Sequence, residues 1–477
     1  MTELQEGRRA KVGAGVLTLI CALGASWATY AAPPPISIPV SAEDSAAAGG
    51  SEGALEFLNG WRRNAALLGD MWGVRRVLSG YGVTLAIQDT SEGLGNVTGG
   101  SKRGFAYEGL TQTVVQMSTQ RAFGLYGGVF NASVLQIHGR NLSAENLGSL
   151  QTASGIEADR STRLWEAWYD QKLLEEDRLD VRIGQQSLDQ EFMVSSNALS
   201  LVNTMFGWPM VPSADLPGGG PAYPLSALGL RVKTRPTDAV TFLAGVFSGG
   251  PAKNLSGDAQ RDNRNGLSFP LNKGALAIAE IQYAYPALGG MVSPGEAEPL
   301  ARTYRLGVWY DTERFADQRF ATEHRGDYSI YAVADQMVWR SARDPNRTLN
   351  LFTRVMGTPQ ADRNLVDFSA NLGFVLRDPL TYRTADTFAA GLGYAHVSRR
   401  AAGADRDAAL ISGTYAPVRS DETFVEGTYQ YQVTPWLQLQ PDVQYVFNPG
   451  GGVANPNNPQ TRTRNELVLG VRINTLL

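Results

Sequence analysis

From Gly82 to the last residue, apolar and polar side chains alternate with a period of two, and this rhythm constrains the chain more than any motif in it. In TPWLQLQPDVQYVFNPGG, residues 434–451, Leu437, Leu439, Pro441, Val443, Tyr445 and Phe447 fall on one side. Gln438, Gln440, Asp442 and Gln444 fall on the other. A period of two is a strand with unlike faces. The same pattern recurs in GVTLAIQ, RLDVRIGQQ, GLRVKTR, TYRLGVWYD, LVDFSANLGFVLRD and NELVLGVRINTLL, so the chain is expected to be all-β.

The apolar faces either pack against one another in a soluble sandwich or meet lipid around a wet lumen. In RLDVRIGQQ, Arg178, Asp180 and Arg182 oppose Leu179, Val181 and Ile183, and three charges on one strand face are many for a packed interior. The alternation runs unchanged to Leu477, and the apolar faces carry Tyr304, Tyr310, Tyr429, Tyr431 and Tyr445, whose amphipathic rings suit a membrane interface. A transmembrane antiparallel β-barrel follows. Strand-like runs at a spacing of about 25 residues after about 80 leading residues give roughly sixteen strands, enough for an aqueous channel. Residues 141–160, 191–227, 252–272 and 287–301 exceed what hairpins need and are expected to be loops, some folded into the lumen.

Composition removes other classes. Lys+Arg 42 against Asp+Glu 46 leaves no basic field for nucleic acid. No run of 18 apolar residues follows the N-terminal segment, which excludes a multi-helix membrane protein. Arg8, Arg9 and Lys11 precede the apolar run VGAGVLTLICALGASWA and small residues, as in a signal peptide spanning 1–31 with cleavage after Ala28 or Ala31. A membrane-anchoring helix is the rival reading of this segment. Cys21, the sole cysteine, lies within it, so the exported chain would carry no thiol. Residues 32–60 read as a flexible leader and 61–80 as a short helical segment, in which Arg62, Arg63, Arg75 and Arg76 are expected on a solvated face. Residues 81–477 form the barrel domain.

ETFVEGTYQYQVTPWLQLQPDVQYVFNPGG closely resembles the C-terminal signature of the carbohydrate-selective porins, the OprB family. GDMWGVRRVLSGYGV, SEGLGNVTGG, GGVFNASVLQIHG, TRLWEAWYDQKL, RLDVRIGQQSLDQEF, LPGGGPAYPLSALGLRV and VFSGGPA extend the resemblance from about Leu67 to the C-terminus. It implies a sixteen-stranded barrel in the Gram-negative outer membrane, surrounded by lipid and narrowed by inward loops and charged groups, through which sugars diffuse passively. Porins are commonly homotrimers, and their assembly machinery commonly reads a terminal aromatic; here the last residues are Leu476 and Leu477.

A polyol entering a narrow pore gives up water contacts, so the wall must return hydrogen bonds without preventing release. Strand phase places Arg178, Asp180, Arg182, Arg231, Lys233, Gln438, Gln440, Asp442 and Gln444 toward the lumen, with Glu191 from an inward loop. An ion-pair ladder that only stiffens the wall is the alternative role. Trp168, Trp309 and Trp436 offer flat faces to sugar rings, or else belong to the interface belt. Pro441 forfeits a ladder donor and is expected at a bulge or bend. His138, His324 and His396 lack metal-ligand spacing, and no metal or cofactor is expected. Glu166 and Asp170 are the carboxylates considered for the alternative function, an outer-membrane or secreted enzyme acting on polysaccharide or lipid.

Overall fold

A computed structural model describes residues 64–477 except 254, 287–298, 381, 384 and 414. The expected signal peptide and leader therefore lie outside the described residues, as do Arg62 and Arg63. The strands are β1 (Val83–Thr98), β2 (Gly104–Ser118), β3 (Gly128–Gly139), β4 (Ser161–Leu173), β5 (Leu179–Gln186), β6 (Ala227–Thr237), β7 (Val240–Ser248), β8 (Ala275–Tyr285) and β9 (Arg302–Ala316). They continue as β10 (Glu323–Arg340), β11 (Thr348–Gly357), β12 (Val366–Arg377), β13 (Thr387–Val397), β14 (Asp421–Thr434), β15 (Leu437–Phe447), a short ribbon of β16 (Ala454–Asn455) with β17 (Asn458–Arg462), and β18 (Glu466–Leu476).

Each barrel strand pairs with its sequence neighbour, and β18 bridges β15 and β1, so sixteen antiparallel strands close the sheet among the described residues. Closure leaves no strand edge unpaired, which a sheet in hydrocarbon requires. The faces are inverted relative to a soluble protein. On β15, Val443 and Phe447 are each 42% exposed on the outside, whereas Gln440 and Gln444 are 1% and 0% exposed inside. Aromatics gather on the outer face near both rims, with Tyr283, Tyr304 and Tyr431 at one and Phe105, Tyr107 and Phe447 at the other. Such girdles mark the two water–lipid interfaces.

Pro441 does not produce the expected bulge. Its strand keeps register with β18 throughout, Gln440 facing Arg472 and Pro441 facing Val471, and the shift against β14 falls nearer the turn, between Gln432 and Thr434. The proline instead falls in a gap of the β14–β15 ladder, between the pairs Thr428–Asp442 and Tyr431–Leu439, and its carbonyl accepts from the Thr428 hydroxyl at 2.9 Å.

One rim carries two-residue connections such as 238–239 and 435–436; the opposite rim carries the long connection 187–226, which turns into the barrel. Helix α1 (Val74–Gly80) packs beneath the short-turn rim, where the Leu67 N–H donates to the Leu476 carbonyl at 2.8 Å. Arg75 corrects the expectation of a solvated face. It is 4% exposed, because its guanidinium caps the carbonyls of Gly69, Leu85 and Leu477. Arg76 remains outside, paired with Asp70 at 2.7 Å.

At the long-loop rim, helix α2 (Arg399–Ser412) is tied to residues 317–322 through Asp317. That carboxylate accepts from Arg400 at 2.7 and 3.0 Å, bonds to the His324 ring at 2.9 Å, and accepts the N–H groups of Arg319 and Phe320. These bonds, the Arg400 pair foremost, hold Asp317 well below the usual aspartate range. A depressed carboxyl stabilises the fold above the unfolded pKa of about 3.9 and loses that contribution as pH falls through the lower folded value. Hydrogen exchange in α2 is accordingly expected to stay protected from about pH 8 to 5, whereas Asp317→Asn should accelerate it at pH 7. Equal exchange in variant and wild type at pH 7 would show that the cluster does not hold α2.

Candidate functional site

The lumen is shaped by the long segment between β5 and β6, and the wall holds that segment at intervals with polar side chains that alternate with the outward apolar ones. From β8, Glu280 accepts the Met193 N–H at 2.9 Å. Asp335 of β10 accepts the Ser195 hydroxyl at 2.6 Å, the Ser196 N–H at 3.2 Å and the Asn197 side chain at 3.0 Å. Arg354 of β11, 1% exposed, donates to the carbonyls of Met193 and Gly207 at 2.9 and 3.0 Å and to that of Met205. Glu426 of β14 accepts the N–H groups of Val202 and Asn203. An irregular segment inside a barrel exposes backbone groups that need partners, and the wall supplies them.

Between these polar attachments lies a hydrophobic cluster inside the barrel. Phe206 meets Phe352 and Phe424 edge-on, with ring centroids 5.7 and 5.4 Å apart. Gly391 on β13 makes room: a Cβ there would stand 2.5 Å from the Phe206 ring and 2.8 Å from Leu201. Trp309 belongs to this cluster at 1% exposure, so it faces inward but presents no free ring to a solute.

The opposite side of the segment meets charge. Glu191 accepts from Arg231 at 2.8 Å and pairs with Arg182 at 3.2 Å. Asp170 of β4 accepts from Arg182 at 2.8 Å and Arg231 at 3.1 Å, and Arg231 also binds Asp180. Register explains the convergence, since Asp170 faces Arg182 across β4–β5 and Arg182 faces Arg231 across β5–β6. The Arg182 guanidinium lies over the Trp168 ring, 3.8 Å from its centroid. Thus four sequence candidates, Asp180, Arg182, Arg231 and Glu191, are brought together with Trp168 beside them. Arg231 is sealed at 1% side-chain exposure, whereas Arg182, Asp180 and Glu191 keep 14%, 18% and 19%.

The other candidates are placed differently. Lys233 is half-buried on β6, opposite Asp180 in register. Arg178 falls in the turn before β5, paired with Glu176 and Asp238 at the rim. Gln438, Gln440, Asp442 and Gln444 face inward as strand phase requires, but inward loops cover much of their row. Gln440 donates to the Ser200 carbonyl at 3.0 Å and Gln444 to that of Ala153 at 2.8 Å. Gln438 bonds to Gln432 and Asn474, and Asp442 accepts from Gln444. Trp436 is buried in the two-residue turn before β15.

Outside the spanning strands, burial pushes the Glu157 carboxyl up to about 8, opposed by its bonds to Ser143. Desolvation likewise raises Asp189, which is bonded to Ser187 and to the Tyr223 N–H. Glu166 accepts the Ser187 N–H at 2.9 Å while Asp170 serves the arginines, so the two carboxylates have separate structural partners. Arg305, paired with Asp335 at 3.1 Å, and Asp170 joined no reading of the lumen from sequence. The phase of TYRLGVWYD, with Arg305 between outward Tyr304 and Leu306, carried the signal for the first.

The family described as carbohydrate-selective porin, OprB family, matches residues 102–477. Porin B of Pseudomonas aeruginosa is 26% identical over 443 residues, covering 86% of this chain and 91% of that protein. A putative porin, QuiX, of Acinetobacter baylyi is 22% identical over 410 residues, 81% of this chain and 89% of the relative. Among solved structures, Pseudomonas putida OprB at high pH superposes with a TM-score of 0.75 at 24% identity, covering 87% of this chain and 99% of that one. Family match, closed barrel and inward charged lining agree: the chain belongs to the OprB family of carbohydrate-selective porins, channels of the Gram-negative outer membrane.

Proposed function

We propose that sugars pass the lumen along the accessible edge of Arg182, Asp180 and Glu191, exchanging hydroxyl–water contacts for hydrogen bonds to these groups. The observation that carries this reading is the pairing: two guanidiniums meet three carboxylates within one cluster. Such a lining offers donors and acceptors with little net field, so a neutral polyol is held weakly and released. Trp168, with Arg182 stacked on it, orients the guanidinium. The reading is of a passive channel and not of an enzyme, in keeping with the separate engagement of Glu166 and Asp170.

Arg182→Ala removes charge-assisted bonds worth about 1.5–3 kcal/mol each against a partner, so sugar block is expected to weaken about tenfold or more with a rise in conductance. Single-channel recording with glucose or maltose competition checks this; unchanged conductance and block would assign the residue to wall support alone. We read residues 1–31 as the signal peptide, β18 with its terminal Leu477 as the segment met by the barrel-assembly machinery, and the outer face as lipid-bound. A hollow of about 400 Å³ on that face, lined by Leu230, Val246, Ala277, Ala279 and Val308, suits a neighbouring barrel in a homotrimer. The mass of the detergent-extracted native particle distinguishes one barrel from three.

A further inference from the structure

On β9, β10 and β12 the middle of the outer wall is apolar, with Val308, Ile330 and Leu372 exposed to the surroundings. The sector of β1, β2 and β3 departs from this. Gln88, Thr90 and Glu92 of β1 are buried inward, so the alternation turns Asp89, Ser91 and Gly93 outward. On β2, Thr111 points outward between inward Leu110 and Gln112, and on β3 Gln136 and His138 flank inward Ile137. Thr111 stands midway along β2, below the girdle residues Phe105 and Tyr107 and therefore at hydrocarbon depth.

These outward polar groups form one chain across three strands. Asp89 accepts from the Thr111 hydroxyl at 2.7 Å and from the Ser91 hydroxyl at 3.0 Å. The Tyr107 hydroxyl lies 3.1 Å from Ser91 Oγ and 3.1 Å from His138 Nε2, and His138 Nδ1 lies 2.9 Å from Gln136 Oε1. Acyl chains offer such groups no donor or acceptor, and a carboxylate facing hydrocarbon is costly. Gly93 is a second, independent sign. It is exposed in the interior of β1, its register with Tyr107 and Val471 is unbroken, and a Cβ there would meet nothing within 4 Å. Neither a bulge nor packing within the barrel calls for glycine at this place, and the remaining use of a strand glycine is to let another surface come close.

We propose that the outer face of β1, β2 and β3 is covered by a second copy of this chain, with Gly93 at the closest approach and the Asp89–Ser91–Thr111 group shielded from lipid by the contact. The occupant has to reach the middle of the wall, which only another membrane-embedded surface can do, so soluble partners are excluded. The patch carries a carboxylate together with hydroxyl and imidazole groups, so donors and acceptors on like faces can bond one another, and oligomers built from one chain are the commonest kind. The proposal rests on the homotrimer reading and deepens it by naming a face; the hollow beside Leu230 and Val246 lies elsewhere on the wall.

The test is cross-linking in intact outer membranes. Cys21, the sole cysteine, lies in the expected signal peptide, so Gly93→Cys supplies the one thiol of the exported chain. A short bis-maleimide should convert Gly93→Cys to a product of twice the chain's mass that contains this chain alone, whereas Leu372→Cys, on the apolar sector, should give none. Gly93→Trp, whose Cβ has open space in its own barrel, should reduce the detergent-extracted particle to a single barrel that still swells liposomes. A Gly93→Cys thiol that a monofunctional maleimide labels fully but that yields no cross-link overturns the proposal, as does a product containing a different protein or an unchanged particle mass in Gly93→Trp. A wild-type particle of several barrels without the Gly93→Cys product would sink this face and leave the homotrimer reading standing; a wild-type particle of one barrel would sink both.

Discussion

Arg354→Ala is expected to release the inward segment from the wall. Arg354 is the cation that reaches three carbonyls of that segment, those of Met193, Met205 and Gly207, while its other contacts are to Asn371 on β12. Removing it strands these carbonyls in a buried setting, each at a cost of about 1–3 kcal/mol, so the attachment should lose at least about 3 kcal/mol. The barrel ladder of β10, β11 and β12 is untouched by the change. The expected result is a folded barrel with a larger, noisier conductance and new protease cleavage within residues 187–226. Wild-type conductance together with wild-type protease resistance would mean that the other attachments suffice.

Phe206→Ala should act at the same place through packing instead of hydrogen bonding. The ring fills the space left by Gly391 and touches Phe352 and Phe424, both fully buried. A buried Phe→Ala change costs about 3–5 kcal/mol, transfer and cavity terms together. Because the inward segment is held on one side by this cluster and on the other by the ion pairs of Glu191 with Arg182 and Arg231, the loss should appear first as local opening. Hydrogen exchange across residues 192–211 is the measurement. Acceleration there with little change in the barrel strands is expected; uniform acceleration of barrel and loop would show that the cluster supports the whole fold.

The two variants also separate what was legible in the sequence from what was not. Alternation along LDVRI and LQLQPDVQYVF agrees with the faces of β5 and β15, because on a strand the face is fixed by the parity of the residue number once lipid is taken as the outer medium. Phase alone could not tell Arg182, partly open to the lumen, from Gln440, covered by the inward segment, since covering depends on a loop 240 residues distant in sequence. Arg178 shows a different failure: β5 begins one residue later, so the residue belongs to a turn and pairs there. Trp309 faced inward into an apolar cluster that only the folded segment creates. For Arg75, the periodicity indicated a helix, but its partner carbonyls at Leu85 and Leu477 become neighbours only when the barrel closes.

Inversion of the faces, oily outside and polar within, is what every reading of the lumen depends on, and liposome swelling addresses it directly. Vesicles carrying the purified chain should swell in isosmotic glucose well above protein-free vesicles, and should not swell in a dextran too large for the lumen. Swelling no faster than in protein-free vesicles, from a chain shown to be inserted, would contradict the account.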